Sequence, residues 1–193
     1  MLQLSRDDPN VMKSVQRQLE EKVKEEGNPV IYSAPCSIHP AHTAFKKNME
    51  ALTDKAGIDI ASLLRKLYTW FKLSTARRED MKDIFSDCNE KEAFFLRHVS
   101  TRWLSMKPCL IRFLDHIDSV LSYFLDYLPS SKDQSCIQAR KTEDFKAIHD
   151  MLKPTKVNKT LSCAYYSLFI CTLNDGFLLN LQHEKPRIHM LYR

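Results

Sequence analysis

The sequence predicts a mostly α-helical protein in which one short βαβ unit precedes a run of helices. The composition supports this class, because 44% hydrophobic residues, 27% charged residues and three glycines among 193 residues are typical of a folded, helix-rich chain. Segments with strand character occur only before about residue 36. After that point, apolar residues recur at helical spacing almost throughout. The length favours one domain with room for a small appendage.

The βαβ unit occupies the start of the chain. A short apolar strand at residues 2–4 stops before Asp8 and Pro9, which suit the cap and the first turn of a helix. That helix is amphipathic, since its apolar residues recur every four positions, and it ends near Gly27. Residues 30–33 form a β-favouring segment between two prolines, so strand, helix and strand together predict one crossover.

The helices that follow are predicted from their apolar spacing. Trp70 and Phe71 lie on the apolar face of an amphipathic helix, and we expect both in the core. Residues 76–85 interleave basic and acidic side chains, including Arg77 and its neighbours, which is typical of a solvated helix face. A shorter helix is expected at residues 94–97.

Two longer helices are predicted in the second half of the chain. The first begins at Pro108 and ends at Pro129, and its apolar residues step by three and four positions. These residues are Leu110, Leu114, Ile117, Leu121, Phe124 and Leu128. The second begins near Thr160, and its apolar residues cover most of the circumference. This distribution predicts a buried, central helix.

Charge, hydropathy and cysteine usage exclude several classes of protein. The net charge of +5 permits contact with phosphates but does not require it. The longest uncharged stretch, residues 160–174, is shorter than the roughly 20 residues that cross a bilayer, so no membrane span is predicted. The start lacks the apolar segment of a secretory signal, and six cysteines without CxxC spacing predict free thiols in an intracellular compartment. Residues 187–192 begin a helix that stops in mid-pattern, so we expect the chain to be cut from something longer.

Five segments of the sequence resemble the motifs of one known family, and they occur in that family's order. Residues 7–11 (DDPNV) resemble the family's D-G-P-N-V, and residues 36–39 (CSIH) its C-x-x-H motif. Residues 68–75 (YTWFKLST) resemble Y-x-W-F-K-x-S-T. The strongest match is residues 98–105 (HVSTRWLS) to H-V-x-T-R-W-L-S. Residues 184–192 (EKPRIHMLY) resemble E-x-P-x-I-H-x-L-Y. The family that these motifs resemble is the hAT-type transposases, together with the host genes domesticated from them.

The resemblance implies both a fold and a loss of catalysis. The family's catalytic domain is an RNase H-like fold interrupted by a long helical insertion. Residues 1–35 would be a partial RNase H-like core, and residues 36–193 a truncated insertion domain. Such transposases cut DNA with three acidic residues that hold two divalent metal ions, such as Mg²⁺. Only Asp7, which matches the second acid, falls within this sequence, so we expect neither an enzyme nor a bound metal or other cofactor.

The other positions that the resemblance carries over concern DNA. The family's R-W tryptophan, here Trp103, is associated with stacking on a base flipped from the transposon end, and Arg102 would suit a phosphate. The C-x-x-H pair, Cys36 and His39, lies near bound DNA in that family, and His98 opens the motif that contains Trp103. We therefore expect weak, largely non-sequence-specific DNA association in the nucleus, with the cytoplasm as the alternative.

Simpler roles for the same residues stay open. Asp7 is suited to an ordinary helix cap, and Trp103 to a packing anchor between helices. Cys36, His39 and His42 fall at spacings of three, but no second ligand pair suits zinc, so no metal site is predicted. A second hypothesis is a helical interaction module whose strand edges and apolar surfaces are covered by a protein partner or a second copy. A third is a transposon remnant without a selected role.

Overall fold

The computed structural model describes residues 3–6, 10–26, 32–35, 38–99 and 105–181, and most of these residues are helical. The predicted mostly helical class is therefore confirmed for the described part of the chain. The chain divides into two compact units, one formed by Met1–Phe45 with Phe177–Arg193 and the other by Lys46–Gly176. The predicted boundary near residue 35 stays a prediction.

The first unit contains two short strands. Strand β1 (Gln3–Arg6) pairs in parallel with β2 (Tyr32–Pro35), and helix α1 (Asn10–Glu25) lies between them in the sequence. The register sets Gln3 opposite Tyr32 and Arg6 opposite Pro35. Helix α2 (Ile38–Ala56) begins in this unit and continues into the other. The predicted helix start at Asp8 and Pro9 lies outside the described residues.

The second unit is built largely from helices. They are α3 (Ile60–Lys72), α4 (Thr75–Asp87), α5 (Met106–Asp115), α6 (Ile117–Leu121), a π-helical turn (Ser122–Tyr127), α7 (Leu128–Ser130), α8 (Gln134–Arg140), α9 (Glu143–Leu152) and α10 (Val157–Leu181). Asp59 caps α3 by accepting a hydrogen bond from the Ser62 N–H at 2.8 Å, and Ser74 caps α4 in the same way through Arg77. These caps explain why two helices begin where they do.

Helix α3 supplies the centre of this unit's core. Its inward face carries large apolar residues, which are Ile60, Leu63, Leu64, Leu67, Trp70 and Phe71. The Trp70 ring lies 5.6 Å from that of Phe124, and the Phe71 ring 5.1 Å from that of Tyr123, measured between centroids. The prediction that Trp70 and Phe71 are core residues is confirmed, since each is 2% exposed.

The predicted helix at residues 94–97 is wrong. Residues 90–99 contain neither helix nor strand, and two of their carbonyl groups, those of Phe94 and Leu96, accept from side chains of α5. Arg112 donates from Nη1 to the Phe94 carbonyl at 3.1 Å, and the Cys109 thiol lies 3.3 Å from the Leu96 carbonyl. Side chains of α5 therefore bind two carbonyl groups that would accept hydrogen bonds from backbone N–H groups if the segment were helical.

The single helix predicted from Pro108 to Pro129 is also wrong in detail. The helix begins at Met106, breaks at His116, and passes through the π-helical turn before Pro129. A π-helical turn places more residues in each turn than an α-helix, so it shifts which residues face the core. Of the predicted stripe, Leu110, Phe124 and Leu128 are buried, whereas Leu114, Ile117 and Leu121 are only half-buried.

The all-round apolar character of helix α10 predicts a buried, central helix, and this prediction is wrong. One face is buried and consists of small residues, which are Thr160, Cys163, Ala164, Ser167 and Cys171. The other carries large apolar residues that are exposed, which are Tyr165, Tyr166, Phe169 and Leu173. Hydropathy alone did not reveal this asymmetry because the two faces differ in side-chain size rather than in polarity.

Candidate nucleic-acid interface

The structure describes two of the six residues that the sequence assigns to catalysis or DNA binding. Asp7, Cys36, Arg102 and Trp103 lie outside the described residues. His39 lies in the first turn of α2, where the structure describes the backbone. His98 is the predicted residue whose side chain and contacts are described, so the site is built from it and from the residues that meet it.

Ser105 joins the two ends of the run 98–105. Its Oγ accepts a hydrogen bond from the Val99 N–H at 2.9 Å and lies 3.0 Å from Nδ1 of His98. The same Oγ lies 3.3 Å from the Val99 carbonyl. Because a hydroxyl has one proton, Ser105 donates either to the neutral His98 ring or to that carbonyl. We call this group of contacts, formed by His98, Val99 and Ser105, the Ser105 clasp.

The clasp is anchored to α5. Ser105 immediately precedes α5, and the thiol of Cys109, one turn later, lies 3.0 Å from the Ser105 carbonyl. Cys109 is buried, and burial raises the pKa of its thiol to about 11. It therefore stays a neutral thiol near neutral pH, able to donate to the carbonyls of Ser105 and Leu96 but unsuited to act as a nucleophile.

His98 is buried, with 7% of its surface exposed. Burial lowers the pKa of His98 below its ordinary value of 6.5, the positive charge of Arg65 lowers that pKa further, and the carboxylate of Asp59 opposes both. The ring is therefore neutral at pH 7. A buried, neutral imidazole is suited to holding the clasp rather than to contacting DNA directly.

Two exposed arginines lie beside the clasp. Arg65 projects from α3 and is close enough to influence the pKa of His98, and Arg97 directly precedes His98 in the chain. Both side chains are exposed, so both are available to a phosphate. Neither Arg65 nor Arg97 forms an ion pair with a carboxylate of the residues that the structure describes.

Sequence reasoning assigned no role to Ser105, Cys109 or Arg65. Ser105 is the last residue of the quoted H-V-x-T-R-W-L-S run, so the motif contained it without indicating what it binds. Cys109 lies one turn beyond the quoted run, so the motif does not include it. The motif gives no indication of Arg65, because its proximity to the clasp depends on how α3 packs beside it. A tertiary contact of this kind has no local sequence pattern.

The described residues place no group of three or more His, Cys, Asp or Glu side chains where they could hold a metal ion. Within the same part of the chain, each helix is too short or too polar to cross a membrane.

Comparison of the chain with models of known families, with curated proteins and with solved structures gave no match. The resemblance to hAT-type transposases therefore stays a prediction from the quoted motifs.

Proposed function

We propose that this chain is a non-catalytic, DNA-associated protein of the nucleus that derives from an hAT-type transposase. The observation that carries the proposal is the Ser105 clasp, because it joins the two ends of the run that contains Arg102 and Trp103 in sequence. A residue pair that acts on DNA must be held in place by a rigid scaffold, and the buried start of α5 supplies one.

The chemistry near the clasp fits a DNA backbone and an unpaired base. Arg65 and Arg97 are exposed beside it, and Arg102 adds a third positive charge from the same run. Guanidinium groups bind phosphate oxygens at any sequence, while an indole such as that of Trp103 stacks on any unstacked base. The protein would therefore recognise a DNA structure rather than a sequence.

A partial RNase H-like core agrees with this origin. The parallel pairing of β1 with β2 and the helix between them in sequence support it. The proposal includes no DNA cleavage, since two metal ions need several carboxylates and Asp7 is the one that matches the family's set. Divalent metal would then leave bound DNA intact.

The test is a salt titration of the full chain against hairpin-ended, duplex and single-stranded DNA, run beside the Arg102→Ala/Trp103→Ala variant. We expect hairpin-ended DNA to bind tightest, binding to weaken steeply as salt rises, and the variant to lose most of the affinity. A folded variant that binds all three DNA species like the wild type would overturn the proposal.

A second candidate function is a helical interaction module, and the outer face of α10 favours it. Tyr165 and Phe169 are 58% and 57% exposed and lie one turn apart, and Leu173 continues the row at 57%. Exposed aromatic residues in a contiguous row are typical of a surface that another protein covers. We propose that a second copy of the chain covers it.

Light scattering of the wild type and of Phe169→Asp tests this second function. We expect a dimer that Phe169→Asp converts to a monomer with an unchanged helical spectrum. The matched control is Ser86→Asp, an exposed position of α4 that adds the same charge outside the row. A wild type that stays monomeric at all accessible concentrations would exclude self-association through α10.

A further inference from the structure

A cavity of about 160 Å³ lies in the unit Lys46–Gly176, and it is separate from the Ser105 clasp. It is lined by residues of α3, α4 and the irregular segment that follows α4, which are Tyr68, Phe71, Lys72, Arg78, Phe94 and Phe95. We call it the basic aromatic pocket. Four of its six lining residues carry aromatic rings, and the other two are cations.

The aromatic part of the pocket is well ordered by ring packing. The rings of Phe71 and Phe95 stack, with centroids 5.4 Å apart and planes inclined by 24°. Phe94 meets Phe85 of the core edge to face, at 6.4 Å between centroids. These contacts fix the apolar walls before any ligand arrives, so a ring that enters pays little to organise them.

The two cations have few partners of their own. The ammonium of Lys72 lies 5.5 Å from the centroid of the Tyr68 ring, and Arg78 donates from Nη2 to the Thr75 hydroxyl at 3.3 Å. The Nε of Arg78 is buried and finds no hydrogen-bond acceptor among the described residues. Neither cation forms an ion pair with a carboxylate in that part of the chain. A buried donor without an acceptor is costly, and an anionic ligand would relieve it.

The volume limits what can enter. An enclosed apolar cavity of about 150 Å³ holds one benzene molecule, so this pocket of about 160 Å³, which is half open to solvent, takes a single ring with its anionic group at the opening. Lys72 and Arg78 line the same small pocket as the rings, so an anion attached directly to the ring reaches both cations without a sugar between them. Two positive charges also favour a dianion over a single carboxylate.

We propose that the basic aromatic pocket binds an aryl phosphate, a single aromatic ring with a phosphate attached directly to it. The ring lies against the aromatic residues that line the pocket, and Lys72 and Arg78 bind the phosphate. Such a group occurs as a free small molecule or as the side chain of a phosphotyrosine. This inference concerns a site other than the clasp and does not depend on DNA binding.

The test is a binding titration of the full chain, followed by NMR, with phenyl phosphate, inorganic phosphate and thymidine 5′-monophosphate as probes. We expect phenyl phosphate to bind at least about tenfold tighter than either of the others, because only it matches both the ring and the charge within one cavity. Equal or tighter binding of thymidine 5′-monophosphate, or the lack of saturable phenyl phosphate binding, would overturn the proposal.

Variants assign the binding to this pocket. Lys72→Met and Arg78→Met should each weaken phenyl phosphate binding about tenfold, while Arg78→Lys, which keeps the charge, retains part of it. Lys159→Met removes an exposed cation from α10 and should change nothing. Folded Lys72→Met and Arg78→Met variants that bind like the wild type would contradict the assignment.

Two further measurements identify the source of the ligand and distinguish aryl phosphate binding from DNA binding. A phosphotyrosine peptide that binds at least about tenfold tighter than phenyl phosphate supports a peptide source, and equal binding supports a free aryl phosphate. The Arg102→Ala/Trp103→Ala variant should bind phenyl phosphate normally. A failure of DNA binding and a failure of aryl phosphate binding are thereby distinguishable.

Discussion

Helices α3 and α10 are both rich in apolar residues, but the buried side chains of α3 are large and those of α10 are small. The buried face of α3 carries large side chains, including Leu67 and Trp70, and its outer face carries polar ones. The buried face of α10 carries small side chains such as Ala164 and Ser167, whereas Phe169 projects outward. The number of apolar residues therefore does not decide whether a helix is central.

The difference has a physical meaning for each helix. Large residues on the buried face of α3 fill the core and contribute most of its hydrophobic free energy. The small residues on the buried face of α10 contribute less apolar area, and its buried hydroxyls are satisfied within α10 or by α9. Ser167 donates to the Cys163 carbonyl at 2.7 Å, and Thr160 to the Met151 carbonyl at 2.6 Å. The large residues of α10 are exposed.

The strongest way to break this comparison is truncation of the α3 face. Leu67 is fully buried, so Leu67→Ala removes apolar contacts and leaves a cavity. We expect the free energy of unfolding to fall by about 3 kcal/mol, as measured by urea denaturation. The matched change on α10, Phe169→Ala, should lower it by less than about 0.5 kcal/mol in dilute, monomeric protein. Similar losses of unfolding free energy for the two variants would show that the buried face of α3 and the outer face of α10 contribute equally to stability.

A second test enlarges the small face of α10. Ser167 is fully buried, and Ser167→Leu adds side-chain volume at a position that is closed to solvent. We expect a loss of about 1–3 kcal/mol in the free energy of unfolding, measured in urea. The control is Ser162→Leu, at an exposed position five residues earlier in the same helix. If Ser167→Leu were tolerated as well as Ser162→Leu, close packing on this face would be excluded.

A third test removes the cap of α3. Asp59 accepts a hydrogen bond from the Ser62 N–H, so Asp59→Ala should cost about 1 kcal/mol of unfolding free energy. Asp59→Asn keeps an acceptor at the cap and should recover most of that loss. The comparison of the two in urea separates the cap from the charge of Asp59, which also acts on His98.

How much of this could be predicted from sequence differs between the two helices. The one-sided apolar spacing of α3 predicted Trp70 and Phe71 as core residues, because period and hydropathy are enough when polar and apolar faces differ. The burial of α10 was predicted wrongly, because side-chain size is not visible in a hydropathy pattern. Residues 94–97 were assigned to a helix because their apolar spacing is helical, and the carbonyl contacts with Arg112 and Cys109 depend on tertiary packing.

The candidate site was predictable only in part. The H-V-x-T-R-W-L-S run drew attention to His98, Arg102 and Trp103, but the role of Ser105 depends on its distances to Val99 and His98. The proximity of Arg65 to His98 depends on the packing of α3 beside the clasp. The sequence therefore indicated the segment, and the structure shows which contacts hold its two ends together at the start of α5.

A fourth test concerns the end of α3 that meets the clasp. Burial, with Arg65, holds the pKa of His98 below its ordinary 6.5 against the opposing charge of Asp59. At pH values below 6.5 the unfolded chain then binds more protons than the folded one, so stability is fully present above 6.5 and falls as the pH decreases below it. We expect this loss in urea denaturation at a series of pH values and its reduction in His98→Gln. An identical pH profile for His98→Gln would exclude this role.

The most direct test of the proposed function is a double-mutant cycle on DNA binding. The affinity for hairpin-ended DNA at low salt is measured for the wild type, Ser105→Ala, Arg102→Ala/Trp103→Ala and the triple variant, with Ser162→Ala as a control for an exposed hydroxyl. We expect Ser105→Ala to weaken binding about tenfold in the wild type, a coupling of about 1.4 kcal/mol, and to have no further effect when Arg102 and Trp103 are absent. Equal weakening in both backgrounds, or unchanged affinity in a folded Ser105→Ala protein, would contradict the claim that the clasp positions these two residues on DNA.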